Sequence, residues 1–308
     1  MDALIQSLVQ ANFAPERIAP QASMAQYTTL RIGGPAEVMV NIHSADEIAV
    51  ALRAAKQADA PVTIIGNGSN LLVRDGGIRG LVLRISGGLN AIRREGDCLL
   101  VQAGASLAAV AAFARDEGLS GMAELGGIPG TVGGGVFMNA GAYDGEMAQV
   151  IDWVDCLDET GAAHRLGKDE LKMGYRTSVF SQLPWSIVGA HLTLTTGDET
   201  AIREKMADLA QRRRSKQPLE YPSAGSTFKR PAGHFAGGLI EQCGLKGTKV
   251  GGAQVSEKHA GFVINAGGAT CRDILALIRL VRATVLEQTG VTLEPEVRLL
   301  GCALDEES

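Results

Sequence analysis

The stretch from Gly126 to Gly145, GGIPGTVGGGVFMNAGAYDG, constrains the fold of this chain more than any other. It carries no charge before Asp144, and its many glycines argue against a helix, because each interior Gly costs about 0.5–1 kcal/mol relative to Ala. Such a run suits backbone that needs positive φ or lets another group come very close. Since its neighbours are apolar, we predict a buried loop whose backbone polar groups are satisfied by a large planar ligand. The alternative is a glycine-rich turn between core strands.

A second glycine tract, GNGSNLL, runs from Gly66 to Leu72 directly after the predicted strand VTII. Its consecutive N–H groups, with the Ser69 and Asn70 side chains, could hold an anion. It lacks the Lys-Ser/Thr ending of a P-loop, and position 71 is Leu where the dinucleotide fingerprint needs Gly. A plain hairpin turn remains an alternative for this tract.

The whole-chain properties exclude several classes of protein. A length of 308 residues suggests two or three domains, and a net charge of −5 argues against general nucleic-acid binding. The five cysteines and five histidines are scattered without metal-ligand spacing, so we predict no metal site. The first residues lack the pattern of a signal peptide, and no apolar run of about 18 residues occurs. We therefore expect a cytoplasmic protein without a membrane segment.

Local patterns predict a mixed α/β order of elements. Alternation in TTLRIGGPAEVMV predicts two strands around a Gly-Gly-Pro turn. Ser44 and Glu47 form a predicted capping box, and further helices are expected at 106–117, 199–214 and AGGLIEQCG. Pro218 marks the predicted domain boundary. Beyond it, a long amphipathic helix carries one apolar stripe: Ile274, Leu277, Ile278, Val281 and Val285.

Three segments carry candidate chemistry. Arg176, in GYRTSVF, could face a carboxylate or phosphate, or could be a strand-edge arginine that reaches water. Ser226, in SAGSTF, could donate a proton or act as a nucleophile, although no G-x-S-x-G motif surrounds it and a turn hydroxyl is the simpler interpretation. Glu294 and Glu296 share a face if the segment is extended, and a carboxyl in a dry cleft has a raised pKa. Two solvated carboxylates are the default interpretation of that pair.

A basic cluster ends the predicted charged helix. Arg212, Arg213, Arg214 and Lys216 lie where cations favour the helix dipole, so a solvated C-terminus is one interpretation. One or two of these side chains contacting a phosphate is the other.

Eight tracts in order resemble the UDP-N-acetylenolpyruvoylglucosamine reductase (MurB) family over about residues 26–301. They are TTLRIGG, GNGSNLL, GGIPGTVGGGVFMNAGAY, GYRTSVF, PSAGSTFK, AGGLIEQCGLKG, VSEKHAGFVIN and LEPEV. The resemblance implies an FAD enzyme that takes a hydride from NADPH and reduces UDP-N-acetylglucosamine enolpyruvate to UDP-N-acetylmuramate for the bacterial cell wall.

The resemblance also implies an organisation. The expected fold is α+β, with a two-part FAD-binding domain of the vanillyl-alcohol-oxidase (PCMH) type and a smaller α/β substrate domain. Residues 1–77 would form the first FAD-binding subdomain, and 78–217 the second, joined by a C-terminal strand at 295–308. Residues 218–294 would form the substrate-binding domain.

Site residues follow from the same resemblance. Arg176 would pair with the substrate carboxylate, Glu296 would act as an acid or hydrogen-bond donor, and Ser226 would donate the proton. FAD would be held non-covalently, because neither glycine tract contains His or Cys. The predicted cofactor contacts are Gly66, Asn67, Gly68, Ser69, Asn70, Leu71, Gly127, Ile128, Pro129, Gly130, Thr131, Gly133, Gly134, Asn139 and Gly141.

The chain departs from the longer form of the family at one place. Residues 177–225 leave no room for the tyrosine-bearing loop that the longer form inserts, so this is predicted to be the shorter form. Other groups must then contact the UDP-sugar, and Arg213, Lys216 and Lys229 are the candidates for its phosphates. Two other functions stay open: a related FAD-dependent oxidase, and a non-catalytic nucleotide-binding module.

Overall fold

A computed structural model describes residues 1–85 and 87–302 of the chain. The chain forms two compact units, each assembled from three stretches of sequence. The first contains residues 1–20, 38–67 and 80–213, and the second contains 21–37, 68–79 and 214–308. The final residues of the predicted C-terminal strand, 303–308, lie outside the described part.

Helices and strands alternate along the chain. The helices are α1 (Asp2–Gln10), α2 (Ala45–Gln57), α3 (Leu107–Asp116), α4 (Val132–Met138), α5 (Met147–Val150), α6 (Glu199–Lys216), α7 (Ala236–Gln242) and α8 (Cys271–Thr289). Short 3-10 turns lie at Pro15–Arg17, Met24–Gln26, Leu125–Gly127 and Val179–Ser181. The strands are β1 (Ile18–Ser23), β2 (Pro35–Asn41), β3 (Val62–Ile65), β4 (Leu71–Val73), β5 (Ile78–Arg84), β6 (Ile92–Glu95), β7 (Cys98–Gln102), β8 (Leu119–Ser120), β9 (Gly141–Ala142), β10 (Gly145–Glu146), β11 (Ile151–Leu157), β12 (Ala163–Gly167), β13 (Ser186–Thr193), β14 (Thr195–Thr196), β15 (Lys249–Val250), β16 (Ala253–Val255), β17 (Val263–Asn265) and β18 (Arg298–Leu300).

The sheets mix parallel and antiparallel pairs. One sheet has the order β1-β2-β5-β3, in which β3 and β5 run parallel from Val62↔Leu81 to Ile65↔Arg84. An antiparallel sheet has the order β12-β11-β13-β7-β6, and a smaller one has the order β15-β16-β17. The parallel pair β18 and β4 joins segments more than 200 residues apart in sequence.

The first unit is built around the antiparallel sheet. Alternate residues of its strands are buried, including Leu99, Val154 and Leu192, because one face of the sheet packs on the core. Helix α4 packs against β7 and β13, and the buried residues of α3 belong to the same hydrophobic core.

The second unit has its own hydrophobic core, centred on α8. The predicted apolar stripe of α8 is confirmed, since all five of its members are buried in this helix. Thr270 caps the helix by accepting from Asp273 N at 3.1 Å, and Gly290 ends it in the left-handed conformation. Among the helices of residues 1–85 and 87–302, none combines the length and apolar character that a membrane span requires.

The helix start at Ser44 is confirmed, but only half of its capping box forms. Ser44 Oγ accepts from Glu47 N at 3.2 Å, as expected. The Glu47 carboxylate accepts instead from His43 N at 2.7 Å and from both terminal nitrogens of Arg17, at 2.8 and 2.7 Å. The hydrogen bond from Arg17 lowers the pKa of Glu47. The Glu47 carboxylate therefore binds Arg17, which is distant in sequence, and does not complete the capping box.

The first of the two strands predicted in TTLRIGGPAEVMV is wrong. Only the second forms, as β2, while residues 28–32 make a turn closed by Thr28 Oγ1, which donates to Ile32 O at 2.9 Å. Arg31 adopts φ of 56° within it. Leu30 and Ile32 are still buried, so the alternation of apolar residues correctly indicates burial but not a strand.

The prediction that the long glycine run is not helical is also wrong over Val132–Met138, which form α4. Thr131 starts the helix, accepting from Gly134 N at 3.3 Å, and Asn139 ends it in the left-handed conformation with φ of 41°. Capping and packing outweigh the low helix propensity of three consecutive glycines.

Candidate active site

The glycine run satisfies part of its own backbone within the first unit. Leu107 N donates to Gly130 O at 3.0 Å, Val132 N to Ala105 O at 2.8 Å, and Gly133 N to Ala103 O at 2.8 Å. Residues 130–133 are therefore pinned along residues 103–107. A ligand is not needed to satisfy this part of the run, contrary to the expectation from sequence.

The glycines of the run divide into an inward and an outward set. A Cβ on Gly133 would lie 3.1 Å from Ala103 Cβ, and one on Gly135 would lie 3.3 Å from Leu107 Cδ1, so core packing alone accounts for both. Gly127 and Gly134 are exposed. At Gly134 a Cβ would meet only Thr131 Oγ1, at 3.6 Å. The outward set leaves bare backbone that a flat ligand can approach closely.

The start of the second tract lies beside this surface in the same unit. A Cβ on Gly66 would be 2.4 Å from Thr131 Oγ1, so only glycine fits there without a shift. Asn67 Nδ2 donates to Pro129 O at 3.1 Å. Strand β3 therefore delivers Gly66 and Asn67 to residues 129–131, and the two glycine tracts meet at this point.

The remainder of the second tract belongs to the second unit. Gly68 has φ of 64°, and a Cβ there would lie 2.1 Å from Tyr27 O. Within the described part of the chain, the N–H groups of Gly68, Ser69 and Asn70 have no hydrogen-bond acceptor. Consecutive N–H groups of this kind suit a phosphate. The donors of this tract by themselves therefore fit a phosphate group.

Arg176 occupies a tight turn in the first unit. Gly174 and Thr177 exchange backbone hydrogen bonds of 3.0 and 3.2 Å, and Arg176 between them has φ of 55°. Its Nη2 donates to Gly141 O at 2.9 Å, and its guanidinium lies 4.9 Å from the ring centroid of Tyr175. The guanidinium is thus held at the end of the glycine run and not at a strand edge.

Backbone pairing in the second unit sets the segments that carry Ser226 and Glu296 side by side. Glu296 N donates to Thr227 O and Lys229 N to Glu294 O, both at 2.8 Å, around a bridge between Phe228 and Pro295. Ser226 is exposed, beside Gly225 with φ of 76°. Asn70 Nδ2 donates to Glu296 O at 3.2 Å. Segments far apart in sequence therefore carry a hydroxyl and a carboxyl on either side of one isolated bridge.

The two candidate carboxylates have different surroundings. Glu294 is exposed and lies 3.3 Å from Lys229 Nζ, an ion pair in solvent that contributes little. Glu296 is half-buried next to the Ser226 segment. This contrast favours Glu296 as the carboxyl with a chemical role.

The basic cluster at the end of α6 divides in the structure. Arg212 pairs with Asp208 at 2.7 Å, and Lys216 is exposed at the helix end. Arg213 is half-buried against the glycine run, where its Nη1 would lie 3.2 Å from a Cβ on Gly127. Burial lowers the pKa of Arg213, and the nearby Tyr143 hydroxyl acts in the opposite direction. Within the described residues no carboxylate pairs with Arg213, which leaves its guanidinium available to an anion.

Sequence reasoning missed the two tyrosines that accompany the arginines of the first unit. Tyr175 stacks on Arg176, and Tyr143 lies near Arg213; both are exposed. Each tyrosine stands beside a predicted site residue or within the glycine run, but that proximity alone does not indicate a contact with a particular arginine. No group of three metal-ligating side chains occurs among the residues that the structure describes.

Known proteins match both parts of the chain. Residues 36–167 match the family model "FAD binding domain", and residues 217–300 match "UDP-N-acetylenolpyruvoylglucosamine reductase, C-terminal domain". A UDP-N-acetylenolpyruvoylglucosamine reductase of Clostridium perfringens is 48% identical over 286 residues, which are 93% of this chain and 94% of that protein. The crystal structure of the Thermus caldophilus reductase (MurB) superimposes with a TM-score of 0.79 at 36% identity, covering 90% of this chain and 97% of that one.

A more distant structure shares the fold alone. Phl p 4.0202, a glucose dehydrogenase, has a TM-score of 0.51 at 13% identity, covering 94% of this chain and 63% of that one. Together with the matched FAD-binding domain, these similarities define a flavin-dependent oxidoreductase with a mixed α/β fold, and confirm the predicted fold class and cofactor. The chain belongs to the UDP-N-acetylenolpyruvoylglucosamine reductase (MurB) family.

Proposed function

We propose that this protein reduces UDP-N-acetylglucosamine enolpyruvate to UDP-N-acetylmuramate with NADPH, as a step of peptidoglycan precursor synthesis in the cytoplasm. The observation that carries the proposal is the 48% identity to a reductase of this name over nearly the full length of both chains. The backbone hydrogen bond from Glu296 N to Thr227 O, next to Ser226, supports it, since the reaction needs a proton donor near an acidic group.

When bound, FAD would supply the redox chemistry, which is transfer of hydride from NADPH to the outer alkene carbon of the enolpyruvyl group. The chain's part is to hold that cofactor. The N–H groups of Gly68, Ser69 and Asn70 would bind its pyrophosphate, and the bare backbone at Gly127 and Gly134 would lie along it. The other predicted cofactor contacts, apart from Asn139, whose side-chain amide bonds Gly174 and Ala148, remain part of this proposal.

Arg176 would pair with the substrate carboxylate. Hydride arrival at the outer carbon leaves negative charge that spreads into that carboxylate, so a guanidinium stabilises the transition state more than the ground state. The turn at 174–177 and the hydrogen bond to Gly141 O fix this group before substrate arrives. The Arg176 guanidinium would then need to move little as the reaction reaches its transition state.

Ser226 would give the proton to the inner carbon, and Glu296 would stabilise the developing charge as an acid or hydrogen-bond donor. A serine hydroxyl is a weak acid in water, so the transfer needs a site from which substrate and cofactor exclude solvent. Ser226 is exposed in the chain by itself, which leaves its hydroxyl accessible to a substrate.

The substrate's UDP moiety would be held by basic side chains and by the second unit. Arg213 is the best placed, because it is half-buried and unpaired with any carboxylate of the described chain. Lys216 and Lys229 would add charge nearer the surface. We further propose residues 218–294 as the substrate-binding domain, with 1–77 and 78–217 as FAD-binding subdomains and 295–308 returning to the latter. Partners would be these small molecules, without nucleic acid or membrane.

The test separates the two half-reactions in Ser226→Ala. Reduction of bound FAD by NADPH, followed by flavin absorbance in a stopped-flow instrument, should stay within about twofold of wild type. Reoxidation by the enolpyruvyl substrate should slow by about 10²-fold or more, because general acid catalysis contributes on that scale. Ser223→Ala is the matched control, since it removes a hydroxyl three residues earlier and should leave both steps unchanged.

Other outcomes would point to other functions. Loss of both half-reactions in Ser226→Ala would contradict the assigned role. Oxidation of NADPH that consumes oxygen and ignores the enolpyruvyl substrate would favour a related oxidase. Purified protein that shows no flavin absorbance even after FAD is added would indicate a nucleotide-binding module without catalysis.

A further inference from the structure

Three hydrogen bonds join the end of the glycine run to the segment that carries Arg176. Ser178 Oγ donates to Phe137 O at 2.8 Å, Asn139 Nδ2 to Gly174 O at 3.0 Å, and Arg176 Nη2 to Gly141 O at 2.9 Å. The bonds involve alternate residues, 137, 139 and 141, all within the first unit. The bond from Asn139 is the middle one of the three.

Both polar ends of the Asn139 side chain are hydrogen-bonded to other protein groups. The residue is 1% exposed, and while Nδ2 donates to Gly174, Oδ1 accepts from Ala148 N at 2.9 Å. Asn139 also ends α4 in the left-handed conformation, which asparagine tolerates better than most residues. A buried amide with a protein partner at each end is poorly placed to contact a cofactor.

The turn that Asn139 holds is strained. Arg176 has a positive φ, a conformation that a residue with a long side chain adopts only when its surroundings enforce it. Gly174 O, the acceptor of Asn139, also accepts from Thr177 N and so closes the same turn. The Asn139 amide therefore holds Gly174, the residue that closes the turn containing Arg176.

We propose that Asn139 is a positioning residue, which holds the 174–177 turn so that Arg176 presents its guanidinium to the substrate carboxylate. This replaces the sequence-based assignment of Asn139 as a cofactor contact. The inference rests on the proposed function for the identity of the substrate, but the anchoring of the turn does not depend on it.

Asn139→Asp is the sharpest variant. Aspartate keeps the shape, tolerates the left-handed conformation and retains Oδ1 for Ala148 N, but it sets an acceptor against Gly174 O where a donor stood. Reoxidation of reduced FAD by the enolpyruvyl substrate should slow by about 10–100-fold, since small misplacement of a catalytic group has effects of that size. FAD reduction by NADPH and FAD affinity should stay within about twofold.

A readout independent of catalysis follows the turn itself. Trypsin cleavage after Arg176, measured by mass spectrometry as the fragment beginning at Thr177, should be about tenfold faster in holo Asn139→Asp than in wild type, because the lost bond favours local opening. Rates are compared with those at other tryptic sites of the same sample, so general destabilisation is separated from opening of this turn.

Two further variants complete the design. Ser178→Ala removes the neighbouring bond without touching Asn139 and should move cleavage and reoxidation in the same direction by about threefold, which covers the case in which Asn139→Asp does not fold. Asn41→Ala, which removes the acceptor of Arg84 Nη1 elsewhere in the first unit, should leave cleavage at Arg176 unchanged.

The outcomes are distinct. Wild-type cleavage at Arg176 in both Asn139→Asp and Ser178→Ala would overturn the proposal, and so would loss of FAD affinity with an intact turn, which would make Asn139 a cofactor contact. If wild-type protein does not reduce the enolpyruvyl substrate, the proposed function fails, while the cleavage rates still decide whether Asn139 anchors the turn.

Discussion

Gly66→Ala should be disproportionately destabilising for so small a change. The added Cβ would lie 2.4 Å from Thr131 Oγ1, about 1 Å inside ordinary contact. Thr131 is 1% exposed and its hydroxyl caps α4 through Gly134 N, so the side chain cannot move away without losing the cap. The substitution forces a choice between a steric overlap and an uncapped helix.

The expected cost combines these two effects. Overpacking in a tight core costs about 1–3 kcal/mol, and loss of a threonine cap about 1 kcal/mol, so we expect Gly66→Ala to lower the free energy of unfolding by about 2–4 kcal/mol. Thr131→Ala alone should cost about 1 kcal/mol. Once Thr131 Oγ1 and Cγ2 are absent, the nearest atom to the new methyl is Cβ at 3.3 Å, so the double variant should cost only about 1–2 kcal/mol.

The assay is a double-mutant cycle measured by urea unfolding of the apoprotein, with tyrosine and tryptophan fluorescence as the probe. FAD is left out because a bound cofactor adds its own stabilisation. Gly134→Ala is the matched control: its Cβ would approach the same Thr131 Oγ1, but at 3.6 Å, an ordinary contact. Because Gly134 is an exposed helical glycine, that change should be neutral or stabilising by up to about 1 kcal/mol.

An additive cycle would refute this reasoning. If Gly66→Ala costs the same with and without Thr131, the two residues do not collide and the glycine is required for another reason, such as close approach of a ligand. If Gly134→Ala is as harmful as Gly66→Ala, the cause is a property of the whole tract and not this single contact.

Two further predictions concern the arginines. Arg176→Lys should leave FAD reduction intact and slow substrate reduction by about 10²-fold, because one ammonium cannot replace a planar guanidinium that also bonds Gly141 O; near-normal steady-state turnover would contradict it. Glu47→Gln should lower the free energy of unfolding by about 1–2 kcal/mol at pH 7, since it removes the charge that Arg17 binds and both side chains are about one-quarter exposed. Arg17 lowers the folded-state pKa of Glu47, so this contribution to stability is complete above the unfolded pKa of about 4.3 and disappears as pH falls through the lower folded value. Urea unfolding should therefore show different free energies of unfolding for the two proteins at pH 7 and similar ones in acid. A difference that stays constant with pH would contradict this prediction.

Local signals in the sequence were sufficient where a segment's own residues decide its structure. The start of α2 follows from Ser44, whose hydroxyl caps the following turn, and the buried stripe of α8 follows from helical spacing. These features need no knowledge of the rest of the chain.

The failures occur where a distant contact decides. Helix α4 forms in spite of its glycines because residues 103–107 pin its first turn and because Gly133 and Gly135 allow close packing on that neighbour. Glu47 leaves the capping box because Arg17 reaches it. Neither partner is adjacent in sequence, so neither could be read from local pattern.

The candidate site shows the same division. The resemblance gave Arg176, Ser226 and Glu296 as candidates, and backbone pairing between residues 227–229 and 294–296 sets the segments of the last two side by side. It did not indicate that Asn139 is enclosed by Gly174 and Ala148, or that Asn70 binds the carbonyl of Glu296, since these contacts depend on the folded backbone. Roles within a glycine tract therefore need the structure residue by residue.

The parallel pairing of β18 with β4 sets the order in which the two units can fold during translation. Leu71–Val73 are synthesised more than 200 residues before their neighbours Arg298–Leu300. The first unit has all of its residues once position 213 is synthesised, whereas the second waits for a further 80–90 residues or so, roughly 5–20 s at bacterial elongation rates. For that interval the apolar side chains of Leu30, Ile32 and Leu72 lack their complete native core, so the nascent chain must keep them from premature association until β18 is made.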